Sequence, residues 1–221
     1  MTFEFHDVTQ TSDDWFSLRL GKPGGSKASV YMAHDGKKTA EGKDFFGDPA
    51  LDFARNLAVE RLTHKRVDNG FQPSAAMLKG VEEEPIAREL YSATTFNEVT
   101  NGGWFDVDET HGTSPDGLVD DDGCIEIKCT GIKAFWATVS SKSYDRGYHW
   151  QLINHLEVTG RDWVDYVNYC SEMPDYARLF IYRLNRKDYI EDIMKLRARR
   201  NKFISKIAES MIEIEEMRNV K

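Results

Sequence analysis

The stretch TSPDGLVDDDGCIEIKC, from Thr113 to Cys129, sets Asp116, Glu126 and Lys128 on short strand-like segments joined by an acidic turn. One residue separates Glu126 from Lys128, so a strand points both to one face, with Ile125 and Ile127 turned to the other. A hairpin through Asp120–Gly123 brings Asp116 alongside Glu126. Two carboxylates that close repel, and one is driven to hold a proton. A hard divalent cation such as Mg²⁺ removes that penalty and takes oxygen ligands. The Lys128 amine is then free to hold or deprotonate a water aimed at phosphorus, or to stabilise charge on a phosphate. The same spacing also fits a solvated strand face, with Asp116-Gly117 as a plain turn, and the residues alone leave both readings open. A calcium loop does not fit, because Leu118 would have to be its first ligand. The three aspartates Asp120, Asp121 and Asp122 read as an exposed turn.

The elements that must position these groups follow from patterning. TSDDWFSLRLG predicts a short helix capped by Ser12 or Asp13 and ended by Gly21. KPGGSKAS is a loop entering a second helix near Ser26. Apolar spacing of three and four predicts a helix over 48–65. Another spans 74–91, with a kink or restart expected at Pro85, where one backbone bond is lost. FNEVT, GWFDVD, GTSPDGLVD and CIEIKC then read as strands between Gly, Asn and Asp turns. Helices are expected over 132–141 and 144–158, strands at WVDYVNYC and RLFIYRL, and a long helix over 186–217. The fold class is α/β, with a central mixed sheet flanked by helices. The five tryptophans (Trp15, Trp104, Trp136, Trp150 and Trp163) are assigned to the core by default.

The chain has 221 residues, 40% of them hydrophobic, which suits one domain with a sizeable core. Its net charge of −8 argues against nonspecific coating of nucleic acid, though not against a local basic cleft. Basic residues do gather at Lys22, Lys27, Lys37, Lys38 and Lys43, and in KLRARRNK from Lys195 to Lys202; the second run reads either as a DNA-channel lining or as a solvated or interfacial helix face. Three cysteines without a CxxC pair fit neither a disulfide framework nor a zinc site, and point to a reducing, cytosolic setting. No basic-then-apolar leader and no run of about 20 apolar residues is present in the sequence.

SPDGLVDDDGCIEIKC resembles the PD-(D/E)xK nuclease signature, and in particular the phage lambda exonuclease (YqaJ-type viral recombinase) family. DDWFSLRLGKPGGSKAS, GVEEEPIAREL and YHWQLINHLEVTG resemble further blocks of that family, in the same order. Together the blocks span roughly 13–160; KPGG departs from the pattern in its glycine content, and Pro85 in following the expected glutamate.

The resemblance implies a restriction-endonuclease-like core over about 74–185 within a single exonuclease domain over 1–221, with the N-terminal helical part and the long final helix as elaborations. It implies metal binding by Asp116, Glu126 and the carbonyl of Ile127, with Lys128 handling the attacking water. Glu84 is the upstream acid, with Glu82 and Glu83 as competitors. Arg19, Ser26, Ser114 and Gln151 match the residues that hold a 5′-phosphate, and Met77 matches an apolar wedge between the strands. The implied activity is Mg²⁺-dependent 5′→3′ digestion of one strand of linear duplex DNA to 5′-mononucleotides, leaving a 3′ single strand. Two ions per site are implied, with Mn²⁺ able to substitute. So are a ring-shaped homotrimer, a single-strand annealing protein as partner and the cytoplasm of a bacterial host. The alternatives are another PD-(D/E)xK nuclease of RecB type, or a DNA-end-binding recombination factor without catalysis.

Overall fold

The computed structural model describes residues 3–33, 46–68, 70 and 72–219. Elements run in the order β1 (Glu4–His6), α1 (Asp13–Arg19), α2 (Ala28–Met32), α3 (Asp48–Thr63), α4 (Ala75–Thr95), β2 (Val99–Thr100), β3 (Trp104–Val107), β4 (His111–Thr113), β5 (Gly117–Val119), β6 (Gly123–Cys129), α5 (Ile132–Ser141), α6 (His149–Thr159), β7 (Trp163–Tyr169), β8 (Leu179–Asn185) and α7 (Ile190–Glu216). The central sheet has the order β2-β5-β6-β7-β8 and is mixed: β6 and β7 are parallel, and every other pair is antiparallel. Crossing from β6 to a parallel β7 requires a long connection, which α5 and α6 supply.

GTSPDGLVD is not one strand. It divides at Ser114-Pro115-Asp116, so β4 joins a second, three-stranded sheet (β1-β3-β4) and β5 joins the large one. Proline cannot donate to a ladder, which favours a break there. Gly102 permits it sterically, because a Cβ at that position would lie 1.7 Å from the Pro115 carbonyl oxygen.

Each face of the large sheet is covered. On one side α4 lays Ala87 and Tyr91 over Ile125, Ile127 and Val167. On the other, α2, α3, α6 and α7 build a larger core around Leu152, Leu156, Tyr166, Leu184 and Phe203. Burial on both faces explains why β7, WVDYVNY, carries so little alternation.

Three expectations are corrected. The helix α4 does not restart at Pro85; it runs unbroken from Ala75 to Thr95 with Ser74 as N-cap. The carbonyl that Pro85 leaves without its usual partner belongs to Val81, itself 67% exposed. Trp136 is not core but half-exposed on α5. Two arginines of KLRARRNK are neither a channel lining nor a solvated or interfacial face: Arg199 and Arg200 are buried on the inner side of α7. Arg199 donates to the carbonyls of Tyr31 and Ala33, while Arg197 and Arg200 pair with Glu157 at 3.0 and 2.6 Å. Buried guanidinium is stable only with such partners. Lys22 is likewise committed, to Asp106. Lys27 is exposed, and Lys37, Lys38 and Lys43 lie outside the described residues.

Candidate active site

The hairpin forms as the turn chemistry requires. β5 and β6 pair with Gly117 opposite Ile125, and the Asp116 amide donates to the Ile125 carbonyl at 3.0 Å. The acidic turn is held by Arg161, which donates to the carbonyls of Val119, Asp120 and Gly123. Asp116 therefore sits opposite Glu126, and its Oδ2 accepts the Ile127 amide at 2.7 Å. A strand residue directs its N–H and C=O to the same side, so the Ile127 carbonyl also faces the Asp116 edge.

Glu126 is 1% exposed, and three groups donate to its carboxylate. Lys128 and Gln151 Nε2 meet Oε1, the latter at 2.5 Å, and His155 Nε2 meets Oε2 at 2.7 Å. Burial opposes its charge, but Lys128 and His155 outweigh burial and hold the carboxyl at about 2. Asp116 goes the other way. Burial first, then the neighbouring Glu126 charge, pushes it well above the usual carboxylate range, and Glu84 adds to the push. Lys128 is drawn down by burial but raised further by Glu126 and Asp116, so it is an ammonium. Its Nζ also lies 4.9 Å from the centroid of the Tyr148 ring.

These groups open into a cleft of about 210 Å³. Its other wall is made by α1, the Gly24–Ser26 turn and the end of β4. Arg19, Ser26, Ser114 and Gln151 all line it together with Asp116, Glu126 and Lys128. The Arg19 guanidinium lies 3.7 Å above the Trp15 ring. No carboxylate pairs with it among the described residues. Burial, and then Arg66, lower it to about 10, still protonated at neutral pH. Of the two glycines of KPGG, Gly25 is the sterically constrained one: a Cβ there would stand 2.9 Å from Thr113 Oγ1 and 3.0 Å from Asn154 Nδ2.

Two cleft residues are engaged differently from what a phosphate shell requires. Ser114 accepts from Trp15 Nε1 at 2.9 Å and gives its only proton to the Gly103 carbonyl at 2.5 Å. Gln151 gives its amide to Glu126. Glu84 and Met77 lie on α4, outside the cleft lining. Glu84 pairs with Arg88 at 3.2 Å yet acts on Asp116. Glu83 is committed to Ser171 and Lys79, and Glu82 is exposed. Met77 is half-exposed near the start of α4. His149 turns away, bonded to Tyr144 and to Asp192.

Sequence reasoning missed His155. It is buried, and its other nitrogen lies 2.8 Å from Thr113 Oγ1. The available signal was its spacing from Gln151, since residues four apart share a helix face.

The donor set suits a hard divalent cation. Two buried carboxylates share an edge with a backbone carbonyl, and one of them, Asp116, has no cationic bonding partner among the described residues. No cluster of three or more His, Cys, Asp or Glu poised for a metal occurs among the described residues. A Mg²⁺ site does not require such a cluster, because the ion keeps several waters and takes one or two carboxylates plus phosphate oxygens.

Comparison with known proteins agrees in fold. The chain is 29% identical to an alkaline exonuclease (LHK-Exo) from Laribacter hongkongensis, with a TM-score of 0.72 over 93% of this chain and 100% of that one. The same exonuclease in complex with dAMP gives a TM-score of 0.73 at the same identity and coverage. A phage related exonuclease from Haemophilus somnus 129PT, 18% identical, shares the fold with a TM-score of 0.66 over 89% of this chain and 96% of that one. A comparison with curated protein sequences gave no match. The model of the YqaJ-like viral recombinase domain matches residues 14–162, which take in α1, α4, the hairpin and α6, and the chain belongs to that family.

Proposed function

We propose that the protein is a Mg²⁺-dependent 5′→3′ exonuclease acting on the ends of double-stranded DNA. One observation carries the reading: a guanidinium that no carboxylate among the described residues pairs with, Arg19, shares a single cleft with Asp116, Glu126 and Lys128. Family membership and the likeness to exonucleases support it.

In this reading Arg19 forks the 5′-terminal phosphate, as guanidinium does most strongly, and Ser26 completes the contact. Ser114 fixes Trp15 beneath Arg19, and reaches the phosphate itself only by releasing Gly103. Asp116, Glu126 and the Ile127 carbonyl hold Mg²⁺, with Mn²⁺ as a substitute and two ions per site. A divalent metal held there would supply an activated water and positive charge to stabilise the leaving oxygen. Glu84 supplies further negative charge beside Asp116. As an ammonium, Lys128 orients the water and stabilises the phosphorane charge rather than removing a proton. Water adds to phosphorus and the P–O3′ bond breaks. A 5′-mononucleotide leaves with a free 3′-hydroxyl, and the shortened strand keeps a new 5′-phosphate. Each cut thereby regenerates the group that Arg19 grips. Met77 stands as the wedge that parts the strands, its exposure leaving it free to meet a base pair.

The same family reading supplies a ring-shaped trimer, a single-strand annealing partner and action in a bacterial host cell. The experiment offers purified protein linear duplex with or without a 5′-phosphate, in Mg²⁺ or EDTA. Metal-dependent mononucleotide release, faster from phosphorylated ends, is expected. Bound but uncut DNA would identify an end-binding factor instead, and internal cuts would identify a different nuclease. Light scattering during gel filtration tests the trimer.

A further inference from the structure

The catalytic reading uses Asp116, Glu126 and Lys128 but leaves unexplained a buried histidine with both ring nitrogens engaged. His155 is 1% exposed. Its Nε2 lies 2.7 Å from Glu126 Oε2 and its Nδ1 lies 2.8 Å from Thr113 Oγ1. Thr113 is fully buried at the end of β4, beneath the Gly24–Ser26 turn. The chain of contacts therefore runs from the small sheet, through α6, to the carboxylate on β6.

The protons can be assigned from donor and acceptor capacity. An ionised carboxylate only accepts, so Nε2 carries the hydrogen. In the neutral ring Nδ1 must then accept, and the Thr113 hydroxyl donates to it. Thr113 thereby selects the tautomer that can serve Glu126. A ligating carboxylate has about four lone-pair positions. Lys128 and Gln151 occupy Oε1, and His155 fixes the direction of Oε2. Groups that bond a metal ligand from behind set its orientation and typically change metal affinity by about 10- to 100-fold.

We propose that His155, set by Thr113, is a positioning residue that orients Glu126 to bind the divalent cation. The inference rests on the reading of Glu126 as a metal ligand. Two substitutions separate its two contacts. In His155→Gln the side-chain amide replaces Nε2 and retains the donor toward Glu126. In His155→Asn the amide replaces Nδ1 and reaches only Thr113. Both remove the ring; asparagine leaves the larger void, by one methylene, and the melting temperature in EDTA reports that packing difference separately from metal affinity.

Mn²⁺ binding to the DNA-free protein is measured by calorimetry, with thermal unfolding recorded in EDTA. The expected result is near-native Mn²⁺ affinity for His155→Gln and a loss of about 10- to 100-fold for His155→Asn. Thr113→Val, which keeps shape but removes the hydroxyl, serves where the asparagine variant does not fold, and is expected to weaken Mn²⁺ binding more than it lowers the melting temperature. Equal affinities for wild type and all folded variants would overturn the positioning role while leaving the metal site intact. Loss in Gln and Asn alike would reduce His155 to a packing residue. Wild-type protein that binds no Mn²⁺ would remove both this inference and the metal reading beneath it.

Discussion

Asp116 and Asp165 are both buried carboxylates at the large sheet, and they are treated oppositely. Asp165, on the α4 side of β7, receives the Tyr91 hydroxyl at 2.7 Å and both Nε and a terminal nitrogen of Arg183 at 2.8 Å. Arg183 is in turn spread over the Trp163 ring, 3.5 Å from its centroid. Asp116, on the cleft side, receives one backbone amide from Ile127 and faces a second carboxylate. A buried charge left in that state is costly unless something neutralises it. The protein supplies the counter-charge at Asp165. At Asp116 the counter-charge is only partial, because Lys128 acts on it through space while bonding Glu126, an imbalance more usual at functional sites than at structural ones.

Substitutions can break the contrast. The large effects are expected in the cleft, at Lys128 and at Asp116. Lys128→Ala should cut turnover by on the order of 10²–10³-fold while leaving DNA binding in place, the usual cost of losing one preorganised transition-state donor. Gel shifts beside nucleotide release check this, and near-native turnover would dismiss the assigned role. Asp116→Asn should stop cutting while stabilising the metal-free fold. The sign follows from the raised carboxyl: its contribution to stability is full in acid and is lost as pH rises through the folded-state value. Wild-type protein in EDTA should therefore lose melting temperature from acid toward neutral pH more steeply than the variant. Mg²⁺ should restore it in the wild type alone, more strongly at higher pH, because metal competes with the proton. Parallel melting curves with and without Mg²⁺ for both proteins would contradict this.

Arg183→Met tests the opposite pole. It strands Asp165, and should destabilise by about 2–3 kcal/mol in denaturant titrations, less than a fully buried pair because Arg183 is itself 43% exposed. Turnover per folded molecule should change little. Arg19→Ala should reduce the preference for phosphorylated over unphosphorylated ends by roughly 10- to 100-fold, corresponding to a lost charge-assisted contact of about 1.5–3 kcal/mol; an unchanged ratio would take Arg19 out of the anchor. The smallest effect is expected at Met77→Ala, a slower digestion of blunt duplex than of frayed ends, compared in paired time courses.

Sequence periodicity reached whatever is local. The alternation of CIEIKC, the acidic turn and the helix caps depend on neighbours a few residues apart, and Asp116, Glu126 and Lys128 fall together as expected. Contacts between distant segments were not legible. Nothing near His155 announces Thr113, 42 positions away, or Glu126, 29 away. The run KLRARRNK looked solvated because composition does not reveal that Glu157 lies buried behind it. The division of GTSPDGLVD between two sheets was missed because three-residue strands buried throughout carry too little pattern to name a partner, and only tertiary pairing tells them apart. Pro85 was over-weighted, since packing of Ala87 and Tyr91 holds a helix that propensity alone would interrupt.

The hand-over at Ser114-Pro115-Asp116 has a mechanical consequence. Ser114 is pinned to Trp15 on the gripping wall, Asp116 to β6 on the cutting wall, and the Pro115 carbonyl is tied down by Gln10 at 2.9 Å. In the proposed reading, the gap between a terminus held by Arg19 and the bond broken beside Asp116 is a length built into the main chain. Side-chain exchanges in the cleft would alter how fast the enzyme bites, whereas lengthening this three-residue bridge would alter the size of each bite, yielding dinucleotides in place of mononucleotides.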